Sequence, residues 1–262
     1  MQLILTDIFS IYIQLFAETL KDEEAYFIFD RFRDSLNFKW SNNQKKNLLH
    51  IAAEKEMPLV LDLLLQVAQQ KDVLTELAMA EDNLNFRPVH YAALRLAPRA
   101  FEVLLRYKID LTVTTNRKET VLTLMGTTLE RNNQVEKFRS ILKLLLKSNV
   151  MNKAFLNMIP TNGTRNSALH YVTAFGDLED VKSIVELGAL PELNGDCKSP
   201  FHVAAEHGKS TIMRFLLDRF ASGKISFDID QKDKDGNTCL HTALYNSSAG
   251  TIIVRMLIME GQ

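Results

Sequence analysis

The sequence predicts an all-α repeat solenoid of about six stacked helix pairs, with projecting hairpin loops and an N-terminal helical cap. A short phrase recurs as NLLHIAAEK (47–55), RPVHYAAL (87–94), SALHYVTAFG (167–176), SPFHVAAEHG (199–208) and NTCLHTAL (237–244), with ETVLTLM (119–125) as a variant copy. One slot of the phrase holds His50, His90, His170, His202 and His241, and Thr123 in the variant, at intervals of 40, 33, 47, 32 and 39 residues. A second apolar block follows each phrase: Leu64-Leu65, Leu104-Leu105, Ile184-Val185 and Leu216-Leu217 fall 14 and 15 positions beyond their histidines. Self-similarity at a period of roughly 20–50 residues marks a chain built of stacked tiles. Apolar residues such as Val60, Leu61, Leu64 and Leu65 recur at helical spacing, so each tile is two short antiparallel helices with one buried face.

Taken in order, residues 1–37 lack the phrase and form two helical candidates, about 5–20 and 22–35, expected to cap the stack. This stretch is acidic, with Asp7, Glu18, Asp22, Glu23, Glu24, Asp30 and Asp34 against Lys21, Arg31, Arg33 and Lys39 around it. LNFKWSNNQKKN then reads as a hairpin leading into the repeat domain, 38–262. Pro88 and Pro200 sit where a first helical turn tolerates a missing N–H, and Gly176 and Gly208 end first helices where a positive φ is expected. Asn42-Asn43, Asn194-Gly195 and Asp235-Gly236 are turn signals for the hairpin tips. Extra residues at 66–84, 126–137 and 147–165 are expected as loops on one edge, because closure entropy grows slowly with length.

The tiles explain the composition inside them. Leu49, Leu169, Phe201 and Leu240 need a neighbouring pair to cover them, and Ala52-Ala53, Ala92-Ala93 and Ala204-Ala205 let helices approach closely. Residues 111–153 carry Arg117, Lys118, Arg131, Lys137, Arg139, Lys143, Lys147 and Lys153 against Glu119, Glu130 and Glu136, a band of net charge +5 able to dock an acidic peptide or phosphates. The apolar ending MLIMEGQ has no polar cap, which points to a fragment of a longer chain or to a further partner.

Composition excludes several function classes. The 262 residues are 46% apolar and carry 31 Lys and Arg against 32 Asp and Glu, a formal charge of -1 that gives no global attraction to nucleic acid or an anionic membrane. Two cysteines, Cys197 and Cys239, form neither a disulfide framework nor a four-thiolate zinc site, and imply a reducing compartment. Residues 3–16, the most apolar stretch, are too short and too polar at Asp7 for a membrane span or a signal peptide. A cytoplasmic location, with the nucleus as a second, is the expectation.

No catalytic, cofactor or metal site emerges. The histidines stand at equivalent positions of separate layers, where each is expected to hydrogen-bond near its helix start and link repeats rather than share a metal. His202 and His207 are spaced one residue too far for the inverted zinc-protease motif, and Gly208-Lys209-Ser210 has Val203 where a phosphate loop needs glycine. Asn162 and Asn246 begin glycosylation sequons by spelling alone.

These phrases resemble the ankyrin repeat, most closely over 163–194 and 195–222, and the resemblance extends over about 38–262. It implies helix pairs with hairpin fingers and a protein-binding surface without intrinsic chemistry. The stretched first repeat, the lead-in EDNLNFRPVHYAA and the junction ending MIPTNGTRNSALHYV are similar to the inhibitor-of-NF-κB (IκB) family and the ankyrin half of NF-κB precursors. That resemblance implies an innate-immunity role, in which a Rel transcription-factor dimer is retained and its basic nuclear-localisation segment masked. By the same resemblance, Trp40, Asn42, Asn43, Glu54, Glu56, Glu81, Asp82 and Asn83 would lie near that segment. The alternative is a generic ankyrin adaptor, or a viral or bacterial effector scaffold, for a different client. An enzyme with a site built on the repeats is a third reading, which needs ionisable groups converging in a pocket.

Overall fold

Apolar residues at helical spacing, punctuated by Pro and Asx turns, leave the chain one way to bury itself: short helices packed side by side. The computed structural model describes residues 20–161, 163–221, 228–245 and 250–260, and among them the regular elements are all helical. Residues 5–19 of the expected helix at 5–20 lie outside the described residues. Its successor is α1 (Asp22–Arg31), followed by a 3-10 turn at Arg33–Ser35. The six phrases then open six helix pairs. They are α2 (Leu48–Glu54) with α3 (Pro58–Gln70), α5 (Pro88–Leu94) with α6 (Pro98–Arg106), and α7 (Val121–Asn132) with α8 (Val135–Lys147). Next come α10 (Ala168–Phe175) with α11 (Leu178–Glu186), α12 (Pro200–Glu206) with α13 (Ser210–Leu216), and α14 (Cys239–Tyr245) with α15 (Gly250–Glu260). A π-helical turn, Leu217–Ala221, extends α13.

All three insertions add helix where loops were expected. Residues 66–84 lengthen α3 and add α4 (Leu74–Met79), and 147–165 contain α9 (Lys153–Leu156). Leu77, Ala78, Phe155 and Leu156 are buried, so these segments are apolar enough to dock rather than project. The insertion at 126–137 also prolongs α7 to Asn132, and Asn133 closes it with φ 51°.

The chain divides into two compact units, Met1–Leu111 and Thr112–Gln262. In the first, α1 packs on α3 and caps it: the Asp22 carboxylate accepts the Leu59 and Val60 N–H groups at 3.0 and 3.1 Å. Met57, the residue preceding α3, has no side chain able to do this, so α1 supplies the acceptor. The core of this unit is Leu48, Leu49, Leu61, Leu64 and Leu65 with Phe101 and Leu104, all buried. In the second unit Phe138, Leu142, Leu169, Ile184, Phe201 and Phe220 play that part.

Proline and glycine carry the local punctuation, with one departure from expectation. Pro88 and Pro200 occupy first helical turns, as do Pro58 and Pro98. Gly208 has φ 63° as expected, whereas Gly176 is extended, with φ −81° and ψ 179°. Its requirement for glycine is close approach: an added Cβ would stand 2.5 Å from the Val172 carbonyl oxygen.

Candidate functional site

The surface that repeats present to a partner is built from three linked devices, each keyed to the histidine slot. Three residues before the slot stands the helix N-cap: Asn47, Arg87, Thr120, Ser167, Ser199 or Thr238. At Ser167, Ser199 and Thr238 the backbone N–H donates to Nδ1 of the following histidine at 3.2, 3.2 and 3.3 Å. Nδ1 is therefore unprotonated, and Nε2 carries the proton. It donates to the backbone carbonyl that precedes the next repeat's N-cap: His50 to Phe86, His170 to Lys198 and His202 to Asn237, at 3.0, 3.0 and 3.2 Å. Burial holds His170 down to about 4 and lowers His50 and His202 as well, which keeps this neutral tautomer in place.

Eight residues before the slot is the device that shapes each hairpin finger. Asn42, Asp82, Thr115, Asn194 and Asp233 each offer one side-chain oxygen to the N–H groups two and four residues on, at 2.8–3.2 Å. This turn places Lys45, Asn85, Lys118, Cys197 and Gly236 at positive φ, between 57° and 81°. Adjacent fingers join through their backbones: Asn83 N–H donates to Gln44, Gly195 to Thr164 and Lys234 to Asp196, at 2.9, 2.7 and 2.9 Å. The third device is an ion pair four residues either side of the histidine. Lys46 meets Glu54 at 2.7 Å, and Lys198 meets Glu206 at 2.9 Å.

The residues carried over from the IκB resemblance fall within these devices in the first unit. Asn42 and Asp82 are the turn acceptors of their fingers, and Asp82 also accepts the Tyr91 hydroxyl at 2.6 Å. Burial pushes Asp82 up, but that hydrogen bond and the two from backbone outweigh it and leave the carboxyl below its ordinary range. Glu54 is shared by Lys46 and, at 4.0 Å, Arg95, while Glu81 pairs with Arg87 at 2.6 Å. Asn83 donates through its side chain to the Asn43 carbonyl at 3.1 Å. Asn43 and Glu56 are exposed and Trp40 is half-buried. The structure thus brings Asn42, Asn43 and Asn83 together along two neighbouring finger tips.

The variant repeat is held differently. Thr123 keeps the near half of the histidine's task, accepting the Thr120 N–H at 2.8 Å, but its short side chain cannot span to a neighbouring finger. In compensation the Tyr171 ring lies across Gly126, where an added Cβ would stand 2.1 Å from the ring, and the Tyr171 hydroxyl is 3.1 Å from Thr127 Oγ1. The basic band is partly consumed by structure: Arg139 pairs with Asp177, the N-cap of α11, and its Nε lies 3.6 Å from Asp180. Lys143, Lys147 and Lys153 remain exposed.

Sequence reasoning missed the groove of the second unit. A cavity of about 480 Å³ lies over α7, α10 and α12, lined by Glu130, Tyr171, Phe175, Asn194, Asp196 and His207 among others. A second, of about 490 Å³, shares Lys198 and Glu206 with it and continues to Asp233, Asp235 and Tyr245. Finger acceptors eight residues before each histidine were the signal, obscured because the slot alternates among Asn, Asp and Thr. Among the described residues there is no cluster of three or more metal-ligating side chains, and no helix is long and apolar enough to cross a membrane.

Fold and surface define a helix-pair repeat scaffold, with interlocked fingers beside the first helix of each pair. Residues 169–262 match the family of ankyrin repeats, in three copies, and the fold is of the ankyrin-repeat kind. Its fold is similar to that of the human ASB11 ankyrin repeat domain (TM-score 0.61, 15% identity, 91% of this chain and 94% of that one). It is also similar to the ankyrin repeat domain of Bcl-3, a member of the IκB family (TM-score 0.57, 20% identity, 90% and 93%). A third likeness is to a chain in the complex of the predatory endopeptidase Bd0816 from Bdellovibrio bacteriovorus with immunity protein Bd3460 (TM-score 0.59, 17% identity, 84% and 99%). No curated protein matches the chain by sequence.

Proposed function

We propose that this chain is a non-enzymatic protein-recognition scaffold of the IκB kind, which holds a Rel dimer in the cytoplasm by masking its basic segment. The observation that carries the scaffold reading is the use of its polar residues: histidines, turn acceptors and ion pairs are spent on locking repeats together, leaving a rigid surface with its ordering already complete. The narrower IκB reading is supported by the coverage of the Bcl-3 likeness, and by the finger-tip cluster of Asn42, Asn43 and Asn83.

The test is incubation with a Rel-homology dimer that bears its nuclear-localisation segment. The expected result is a nanomolar complex that weakens as salt rises and is impaired by Trp40→Ala and by charge reversal at Glu54 and Glu56. Absence of such a complex removes the IκB reading and leaves the adaptor for another client. The likeness to proteins as different as ASB11 and a chain of the Bd0816–Bd3460 complex favours that second reading.

A further inference from the structure

Of the finger acceptors, Asp82 and Asp233 are carboxylates, and their second oxygens have different fates. In Asp82, Oδ1 serves the turn and Oδ2 accepts the Tyr91 hydroxyl at 2.6 Å. In Asp233, Oδ1 likewise accepts the Asp235 and Asn237 N–H groups, at 3.0 and 2.8 Å. The place of Tyr91, nine residues on, is taken by Thr242, whose hydroxyl donates to the Thr238 carbonyl instead. Asp233 is only 8% exposed, lines the 490 Å³ cavity, and no described residue donates a hydrogen bond to its Oδ2. Oδ2 keeps contact with solvent at the cavity wall, where it can accept from a cation or donor that enters.

The surroundings say what would meet it. Lys198 pairs with Glu206 at 2.9 Å and also faces the Asp233 charge, and Lys234 pairs with Asp196 at 3.2 Å. The cavity lining holds Lys198 against Glu206, Asp233 and Asp235, an excess of negative charge. Tyr245 lines the same cavity and is 83% exposed, an aromatic face open to solvent beside the carboxylates. A carboxylate with a vacant lone pair, a second carboxylate and an open aromatic ring together suit a planar guanidinium or an ammonium group, through a charge-assisted hydrogen bond and a cation–π contact.

We propose that this end of the groove receives an arginine or lysine side chain of an extended protein segment, with Asp233 Oδ2 as its acceptor and Tyr245 as its platform. The inference rests on the scaffold reading but not on the identity of the client, and it concerns a surface separate from the Trp40–Asn83 edge.

Backbone amide shifts would be recorded by NMR while the full chain is titrated with the capped heptapeptide Gly-Ser-Leu-Arg-Leu-Ser-Gly. A second titration replaces the arginine with citrulline, which has the same shape without the charge. Shifts confined to 233–237 and 242–245 are expected with the arginine peptide and not with the citrulline one. Asp233→Asn keeps the turn, since Asn42 and Asn194 make the same turn, so the thermal midpoint should hold while binding weakens by roughly tenfold or more. Lys198→Met removes a positive charge from the cavity lining and should tighten binding. Equal binding by Asp233→Asn, equal shifts with citrulline, or shifts elsewhere would overturn the proposal. A Rel dimer bound while the arginine peptide leaves 233–245 untouched counts against this site alone; peptide capture without a dimer complex counts against the IκB reading alone.

Discussion

At the scale of the residue, one imidazole explains both the recurrence of the phrase and a vulnerability of the fold. His170 accepts at Nδ1 from Ser167 and donates at Nε2 to Lys198, and it makes both contacts only while neutral, because protonation would turn Nδ1 into a donor facing the Ser167 N–H. Burial holds its folded-state value down to about 4, while an unfolded histidine titrates near roughly 6.5. Between those values the unfolded chain binds more protons than the folded one, so stability rises with pH across the window and is lost as pH falls through it. For His170 alone the loss at pH 5 is about 2 kcal/mol by that linkage. His50, His202 and His207 are lowered by burial too and act in the same direction. Urea midpoints at pH 7 and pH 5 check this. The pH 5 midpoint should be lower, and His170→Thr, which imitates the natural Thr123 slot, should reduce the difference while weakening the fold at both. A midpoint indifferent to pH in this range would mean that the imidazoles are protonated in the fold, contrary to the tautomer assigned from Ser167.

At the scale of the element, what the sequence made legible was whatever sits at a fixed offset from the histidine. Helix starts at Pro88 and Pro200, the second helices through Leu104 and Ile184, and the bridging role of His50 all follow from such offsets. Insertions were less legible, because a segment such as LTELAM is too short for its periodicity to separate a docked helix from a loop, and burial of Leu77 and Ala78 decides it. Site residues were the least legible: Asn42, Glu54 and Asp82 are polar and near a finger, but that Lys46 and Tyr91 engage Glu54 and Asp82 shows only once the chain is folded. The Thr123 repeat offers the sharpest test at this level. Gly126→Ala ought to help α7 by up to about 1 kcal/mol on helix propensity. Its Cβ would instead enter the Tyr171 ring, and overpacking costs typically 1–3 kcal/mol. A net destabilisation of about 1–2 kcal/mol is therefore expected in denaturant unfolding. In a Tyr171→Ala background the same substitution should become neutral or stabilising, and that reversal of sign separates a steric clash from a simple helix effect.

At the scale of the molecule, the second unit is a row of tiles in which stability depends on how many neighbours a tile has. The α10 and α12 tiles are covered on both sides, and their Leu169 and Phe201 are fully buried. The corresponding Leu240 of α14 is only half-buried, and Leu244, Tyr245, Ile252, Ile258 and Met259 are exposed on the same pair. His241 also differs from its counterparts: its Nδ1 accepts the Thr238 N–H at 3.3 Å, yet the residue is exposed, where His170 and His202 are buried with Nε2 against a carbonyl of the following finger. Among the described residues the sixth pair therefore has one interface instead of two, and local opening should start there rather than at α10. Hydrogen exchange read by mass spectrometry measures this directly. Amides of 239–245 and 250–260 should exchange at least roughly tenfold faster than those of 168–175 and 200–206, a gap of about 1.4 kcal/mol. Uniform protection across these helices would show that the unit opens all at once, and would remove the premise that each pair is held by its neighbours. A partner segment occupying the Asp233–Tyr245 end of the groove would narrow the gap, since a ligand that binds only the closed tile stabilises it in proportion to its occupancy.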